Sequence, residues 1–379
     1  MRPLQSILTP AAILDTQKLG QNIDRAIMAA DRFNLPIRVH LKTAKSPQVA
    51  KLLAGKGIKS FAVSTLAELE AFARAGHQDI LYTTAITADK VASLLKAREY
   101  GANPKALVDD LEMARQLARE TAELSDPLPL IIEIDVDGNR GGVPYPGDQL
   151  DALLALIDDA AGLSLAGIMT YSGATYAAGS PEHVQEICDA HCKHLKDLKG
   201  RLEDRYNRPM IISSGGSPMG LLTQHLEGLT ELRMGVFYFS DLFQSGLGIG
   251  SHDDIALSVL TSVLSVQPQY NRFIIDAGGL ALSQDRSTSG SVEDWGFGRV
   301  CDLNGTPIDD LCVSKVSQEH GIVTSRSGQD PTEFVTPGDK LRILPNHACY
   351  TAAAYPGYEL VKPDAHGSLW WDRVNGWYI

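Results

Sequence analysis

The sequence predicts an α/β fold: a (β/α)8 barrel with a C-terminal β-rich domain. Three observations point there. Apolar, β-branched runs alternate with helix-period segments through the first two-thirds of the 379 residues. Eight such runs fit the length of a closed barrel, and strict βα alternation implies parallel strands joined by crossovers. After about residue 255 the pattern changes to short β-type runs punctuated by Gly, Pro and Asp. An open doubly wound sheet is the alternative arrangement. The expected domains are a barrel over 15–255 and a β-rich domain built from 1–14 with 256–379.

The strands expected in order are 37–42, 59–64, 80–84, 106–109, 130–135, 165–171, 210–213 and 231–235. Helices are expected at 65–75, 88–100, 110–124, 149–161 and 181–206. The first of these starts on Thr65 with Glu68 three residues on, a capping-box pattern. The second domain shows β-type runs at 256–266, 272–275, 308–316, 340–343 and 368–373.

Composition narrows the class of function. Apolar residues are 44% and charged residues 21%, an ordinary globular balance. Lys and Arg number 34 against 46 Asp and Glu, a net charge of −12. That balance argues against nucleic acid or an anionic membrane as partner. It is compatible with one local anion site made of backbone N–H groups. No run approaches the roughly 20 apolar residues of a membrane span, and residues 1–13 lack the apolar core of a secretory signal. The five cysteines (188, 192, 301, 312, 349) are odd in number and form no framework, so a reduced, cytoplasmic location is expected.

Barrel active sites lie at the C-terminal strand ends, which turns the strand order into a site search. The first strand runs into H-L-K-T at 40–43, placing His40 and Lys42 on one face at the rim. Lys42 is either a strand-end lysine with its ammonium in water or a Schiff-base lysine. The latter needs a partly desolvated amine. Lys45, past the strand end, is the lesser candidate. Arg140, in the Gly-rich turn after the fifth strand, is a surface turn residue or a fixed cation for a carboxylate, phosphate or phenolate oxygen. Tyr171 ends the sixth strand, as core or as a ring packed on a planar ligand. Ser214, Gly215, Gly216 and Ser217 follow the seventh strand and precede a helix, the chemistry of a phosphate cradle. The glycines at 246–250 lack the spacing of a dinucleotide fingerprint.

In the second domain His347 and Cys349 stand at i and i+2, pointing the same way in extended chain. Imidazole and thiolate suit zinc, and two ligands leave positions open; a buried free cysteine is the plainer reading. A second cluster, His183, Cys188, His191, Cys192 and His194, falls on one helix outside the barrel. It reads as buried thiols and exposed imidazoles.

Together the motifs H-L-K-T-A-K at 40–45, I-D-V-D-G-N-R-G-G-V at 134–143, S-S-G-G-S at 213–217, S-Q-E-H-G at 317–321 and P-N-H-A-C at 345–349 resemble a known family. It is the fold-type III, alanine-racemase-like pyridoxal-phosphate enzymes, in the branch of metal-dependent D-serine dehydratase, D-threo-3-hydroxyaspartate dehydratase and D-threonine aldolase. The resemblance implies that Lys42 carries pyridoxal 5'-phosphate and later takes the Cα proton. It places Arg140 on the phenolate side, Tyr171 on the pyridine ring, and Ser214, Gly215, Gly216 and Ser217 on the phosphate. His347 and Cys349 would hold Zn2+, or another divalent metal, against the β-hydroxyl. Four positions depart from the pattern: Val39 and Met234 replace prolines, Phe237 stands where relatives often have Tyr, and Ala44 where the family commonly has His. Aldolases of the branch carry Asp in place of the Cys, so Cys349 favours dehydration. The implied enzyme is a lyase that converts a D-3-hydroxy amino acid into a 2-oxo acid and ammonia, and works as a homodimer. The alternatives are a D-threonine aldolase and an amino-acid racemase.

Overall fold

The computed structural model describes residues 4–138 and 140–378. The chain divides into two compact units: the chain up to Asp24 with Val236–Asn375, and Arg25–Gly235 with the chain from Gly376 on. The sequence reading divides the chain at 14/15 and 255/256 instead.

In the second of these units eight parallel strands close into a barrel. They are Ile37–His40, Ser60–Val63, Asp79–Ala85, Asn103–Val108, Leu128–Asp135, Leu163–Met169, Ile211–Ser214 and Glu231–Met234. The ring closes because the eighth strand pairs with the first (Leu232 opposite Ile37) and the fourth with the fifth (Ala106 opposite Leu130). Leu81, Leu107, Ile131 and Met169, all buried, pack across the third to sixth strands. These strands are buried on both faces, so they read in the sequence as near-continuous apolar runs.

Intervening helices begin on side-chain caps. Thr65 accepts from the Glu68 N–H, and the Glu68 carboxylate returns to the Ser64 N–H. Asp110 does the same for Met113. Each cap satisfies an otherwise orphaned donor and contributes about 1 kcal/mol. Near the start of the strands Arg38 is buried with bonds to Glu231 (2.7 Å) and Asp79 (3.0 Å), and Lys105 reaches Asp79 at 2.7 Å. A buried guanidinium of this kind is tolerated only because both carboxylates face it.

Among helices longer than six residues two went unread, Thr16–Asp31 and Pro47–Gly55. The second carries a start signal in Pro47 at its first turn. The long helix Pro181–Tyr206 falls where expected. Its decoy cluster needs one correction: Cys188 and Cys192 are buried as read, but so is His191, which bonds the Ser172 hydroxyl at 3.0 Å. A polar partner inside the fold made that burial possible.

The other unit is a nine-stranded sheet. Six antiparallel strands form a closed cycle: Leu257–Gln267, Arg272–Ile275, Gly321–Ser325, Pro307–Val316, Arg299–Cys301 and Lys340–Leu344. Ala11–Leu14, Gly357–Leu360 and Trp370–Asp372 extend it. Strands Ala11–Leu14, Arg299–Cys301, Gly321–Ser325 and Gly357–Leu360 were not read from sequence; each has five residues or fewer. The S-Q-E-H-G motif is the turn between Pro307–Val316 and Gly321–Ser325, and 317–320 are exposed. All five cysteines are free thiols.

Candidate active site

At the barrel mouth the first strand stops at His40, two residues earlier than expected, and 41–44 form a turn. Lys42 therefore stands in the turn, and its side chain is exposed. The sequence reading asks for a partly desolvated amine; the surrounding protein atoms do not supply that. No side-chain partner engages the Lys42 amine among the described residues. Lys45 is engaged instead, at 3.3 Å from Glu68. His40 is partly exposed by area, yet its ring is enclosed by protein atoms. Burial, then the charges of Lys42, Arg233, Arg140 and Lys45, hold its pKa well below the usual value.

Arg140 donates to Glu133 at 2.7 Å, and its guanidinium lies 4.6 Å from the centre of the Tyr171 ring. Burial raises the Glu133 pKa against the pull of Arg140. Tyr171 lies two residues beyond its strand, which ends at Met169. Its ring stacks on Tyr176, with centroids 6.3 Å apart. Tyr176 in turn accepts from the Ser217 N–H at 3.1 Å. Arg140, Tyr171 and the 214–217 loop are thus brought together through Tyr176, a residue the sequence reading missed.

The loop itself is buried from Ser213 to Ser217. A Cβ on Gly215 would fall 1.8 Å from the Arg233 carbonyl, and one on Gly216 would meet the Tyr176 ring at 3.1 Å. Space, not backbone dihedral, requires glycine at 215, and at 216 a Cβ fits only if the Tyr176 ring shifts by a few tenths of an ångström. Ser214 is bonded to Thr170 at 2.9 Å, whereas the buried Ser217 hydroxyl has no protein partner. An orphaned hydroxyl beside close-packed glycine backbone fits a phosphate. Arg233 lies beneath, donating to Ser213 at 2.8 Å, with its pKa lowered to about 10 by burial.

In the β-rich unit His347 is the N-cap of the short helix Ala348–Ala353. The sequence reading put 347–349 in extended chain; the helix starts one residue after His347, because Asp241 accepts the Ala348 N–H at 2.9 Å. The turn still brings His347 and Cys349 into hydrogen-bond contact. His347 Nδ1 lies 3.4 Å from Asp285. Burial opposes its charge, but Asp285, Cys349 and Asp241 outweigh that and raise its pKa to about 11. Burial likewise raises Asp241 to about 6. No group of three or more His, Cys, Asp or Glu converges on a metal position among the described residues. The pair therefore offers two donors. A carboxylate on one imidazole nitrogen fits a metal-binding histidine, since it leaves the other for the ion. Asp285 and Asp241 were missed, being remote from 347 in sequence and outside any motif.

Two family models match: "Alanine racemase, N-terminal domain" over residues 14–242 and "Putative serine dehydratase domain" over 256–361. The chain is 35% identical over 380 residues to D-threo-3-hydroxyaspartate dehydratase of Delftia sp. (strain HT23), covering 99% of each chain. The solved structure of that enzyme superposes with a TM-score of 0.93 over 100% of both chains, at 34% identity. A mutant of it has been solved in a metal-free form. The chain is 25% identical to D-serine dehydratase of Dictyostelium discoideum, over 95% of each chain. It is 28% identical to 3-hydroxy-D-aspartate aldolase of Paracoccus denitrificans (strain Pd 1222), over 96% of this chain and 91% of that one.

Proposed function

We propose that this chain, which belongs to the fold-type III pyridoxal-phosphate family in the branch of D-serine and D-threo-3-hydroxyaspartate dehydratases, dehydrates a D-3-hydroxy amino acid to a 2-oxo acid and ammonia. The observation that carries the reading is the His347–Cys349 contact, with Asp285 on the imidazole, in a chain so similar to a dehydratase along its whole length. Bound pyridoxal phosphate supplies an electron sink at Cα, and a divalent ion supplies a Lewis acid at the β-hydroxyl.

The chain's own groups divide the remaining work. Lys42 Nζ, with no ion-pair partner among the described residues, is available to hold the cofactor aldehyde carbon and afterwards to carry the Cα proton. Arg140 presents a cation to the phenolate side, and its bond to Glu133 fixes its direction. Tyr171 packs against the pyridine ring. Ser214, Gly215, Gly216 and Ser217 bind the phosphate, with the Ser217 hydroxyl gaining the partner it lacks in the protein. His347 and Cys349 hold the ion, which we take to be zinc because imidazole and thiolate are its preferred donors. We further propose a cytoplasmic location, supported by five free thiols, and a homodimer, which the family resemblance implies.

The test is incubation of cofactor-supplied protein with D- and L-3-hydroxy amino acids, with and without chelator, assaying ammonia, 2-oxo acid and aldehyde separately. Ammonia and 2-oxo acid from the D isomers, lost with chelator and restored by Zn2+, are expected. Aldehyde and glycine would establish the aldolase, the reading favoured by the Paracoccus relative. The enantiomer alone would establish a racemase.

A further inference from the structure

The turn that carries Lys42 is held at three backbone donors. Leu41 N–H reaches the Ala62 carbonyl (2.8 Å) and Lys45 N–H reaches the Leu41 carbonyl (2.7 Å). The Lys42 N–H goes to a side chain instead, His40 Nδ1 at 3.3 Å. An imidazole nitrogen that accepts cannot carry the proton, so the proton belongs on Nε2. The surroundings of Nε2 agree. Thr83 Oγ1 lies 3.0 Å away and donates its own proton to the Val63 carbonyl at 2.9 Å, so a lone pair faces His40. Ser64 Oγ lies at 3.4 Å on the same nitrogen. Gly235 closes the other side, where a Cβ would come within 3.1 Å of His40 Cβ. Both ring nitrogens are therefore committed, one to the backbone of Lys42 and one to the third barrel strand.

We propose that His40 is a positioning residue: as the Nε2–H tautomer anchored on Thr83, it takes the Lys42 N–H and aims that side chain. The proposal rests on Lys42 being the cofactor lysine. It gives His40 no acid–base role despite its place at the mouth, since neither nitrogen is available for a substrate proton. The four cations around the ring, Lys42, Lys45, Arg140 and Arg233, disfavour a fifth charge there and keep Nδ1 an acceptor.

The test compares two ligands: pyridoxal phosphate, and 4′-deoxypyridoxine 5′-phosphate, an analogue with a methyl in place of the aldehyde. Only the first can bond to Lys42. His40→Ala should weaken pyridoxal phosphate about tenfold, the share of one hydrogen bond, and leave analogue binding unchanged. His40→Asn, whose side-chain oxygen takes the place of Nδ1, should restore most of the loss. Thr83→Val should fall between. Equal weakening of both ligands by His40→Ala, or no weakening, overturns the proposal. Lys42→Ala measured in parallel separates the two claims. If that variant still prefers the aldehyde ligand, the lysine assignment fails; if it loses the preference while His40→Ala keeps it, only the His40 role fails.

Discussion

The barrel mouth and the His347 turn hold their polar groups by different means. At the mouth the groups follow the ends of four strands, and all but Lys42 reach a neighbouring group. Lys42, Arg140, Tyr171 and Ser217 are far apart in sequence, yet Tyr176 links the last two and Arg140 lies on Tyr171. At the turn, His347 and Cys349 meet by local chain geometry, and two buried or half-buried carboxylates fix them. Asp241 holds the helix start, and Asp285 holds the imidazole. A site made by topology should lose function when one group is removed but keep its shape. A site made by a turn should be separable from the rest of the molecule.

Variants can break that contrast. The largest effect is expected at Lys42→Ala, which should abolish both turnover and the visible absorbance of the cofactor while leaving Tm unchanged; retained absorbance would put the attachment elsewhere. Next is Cys349→Ala. It should lose bound metal and ammonia release, yet keep the cofactor absorbance, as metal analysis and a spectrum will show. Loss of both signals would join the two sites and end the contrast. Smaller effects fall on the 214–217 loop. Gly215→Ala places a Cβ 1.8 Å from the Arg233 carbonyl, so backbone must move, and a loss of about 1–3 kcal/mol is expected in denaturant melts. Gly216→Ala meets only the edge of Tyr176 at 3.1 Å and should cost less. A reversed order would show that the loop is looser than its packing.

The last effect is on acid stability, at the opposite end of the barrel from Lys42. Burial disfavours the Asp79 charge, but Arg38 and Lys105 outweigh it and hold the carboxyl well below the usual carboxylate range. A carboxylate depressed in the folded state stabilises the fold above its unfolded pKa, about 3.9, and that gain disappears as pH falls below it. Stability should therefore drop from about pH 4 downward, and Asp79→Asn should flatten that drop. An unchanged slope would remove Asp79 from the account.

Much of this architecture was legible in the residues. The eight barrel runs alternate strictly, so each strand fell within a few residues of its place, and the β-rich domain announced itself by turn chemistry. The misses have physical causes. Strand Arg299–Cys301 is three residues long and carries no pattern of its own. Pro47–Gly55 is a nine-residue helix, hidden behind the strand that precedes it. The candidate ligands stood in motifs, whereas Asp285, Asp241, Thr83 and Tyr176 act only through tertiary neighbours. Glu133 could have been found, since it alternates with Asp135 at the end of an otherwise apolar strand. Buried His191 bonds Ser172, a partner that no helical pattern reveals.

The central claim is that Lys42 carries the cofactor. Protein supplied with pyridoxal phosphate, reduced with borohydride and digested, tests it most directly by peptide mass mapping. A phosphopyridoxyl group on Lys42 is the predicted result. A label on Lys45 or another lysine, or no label at all, would contradict it.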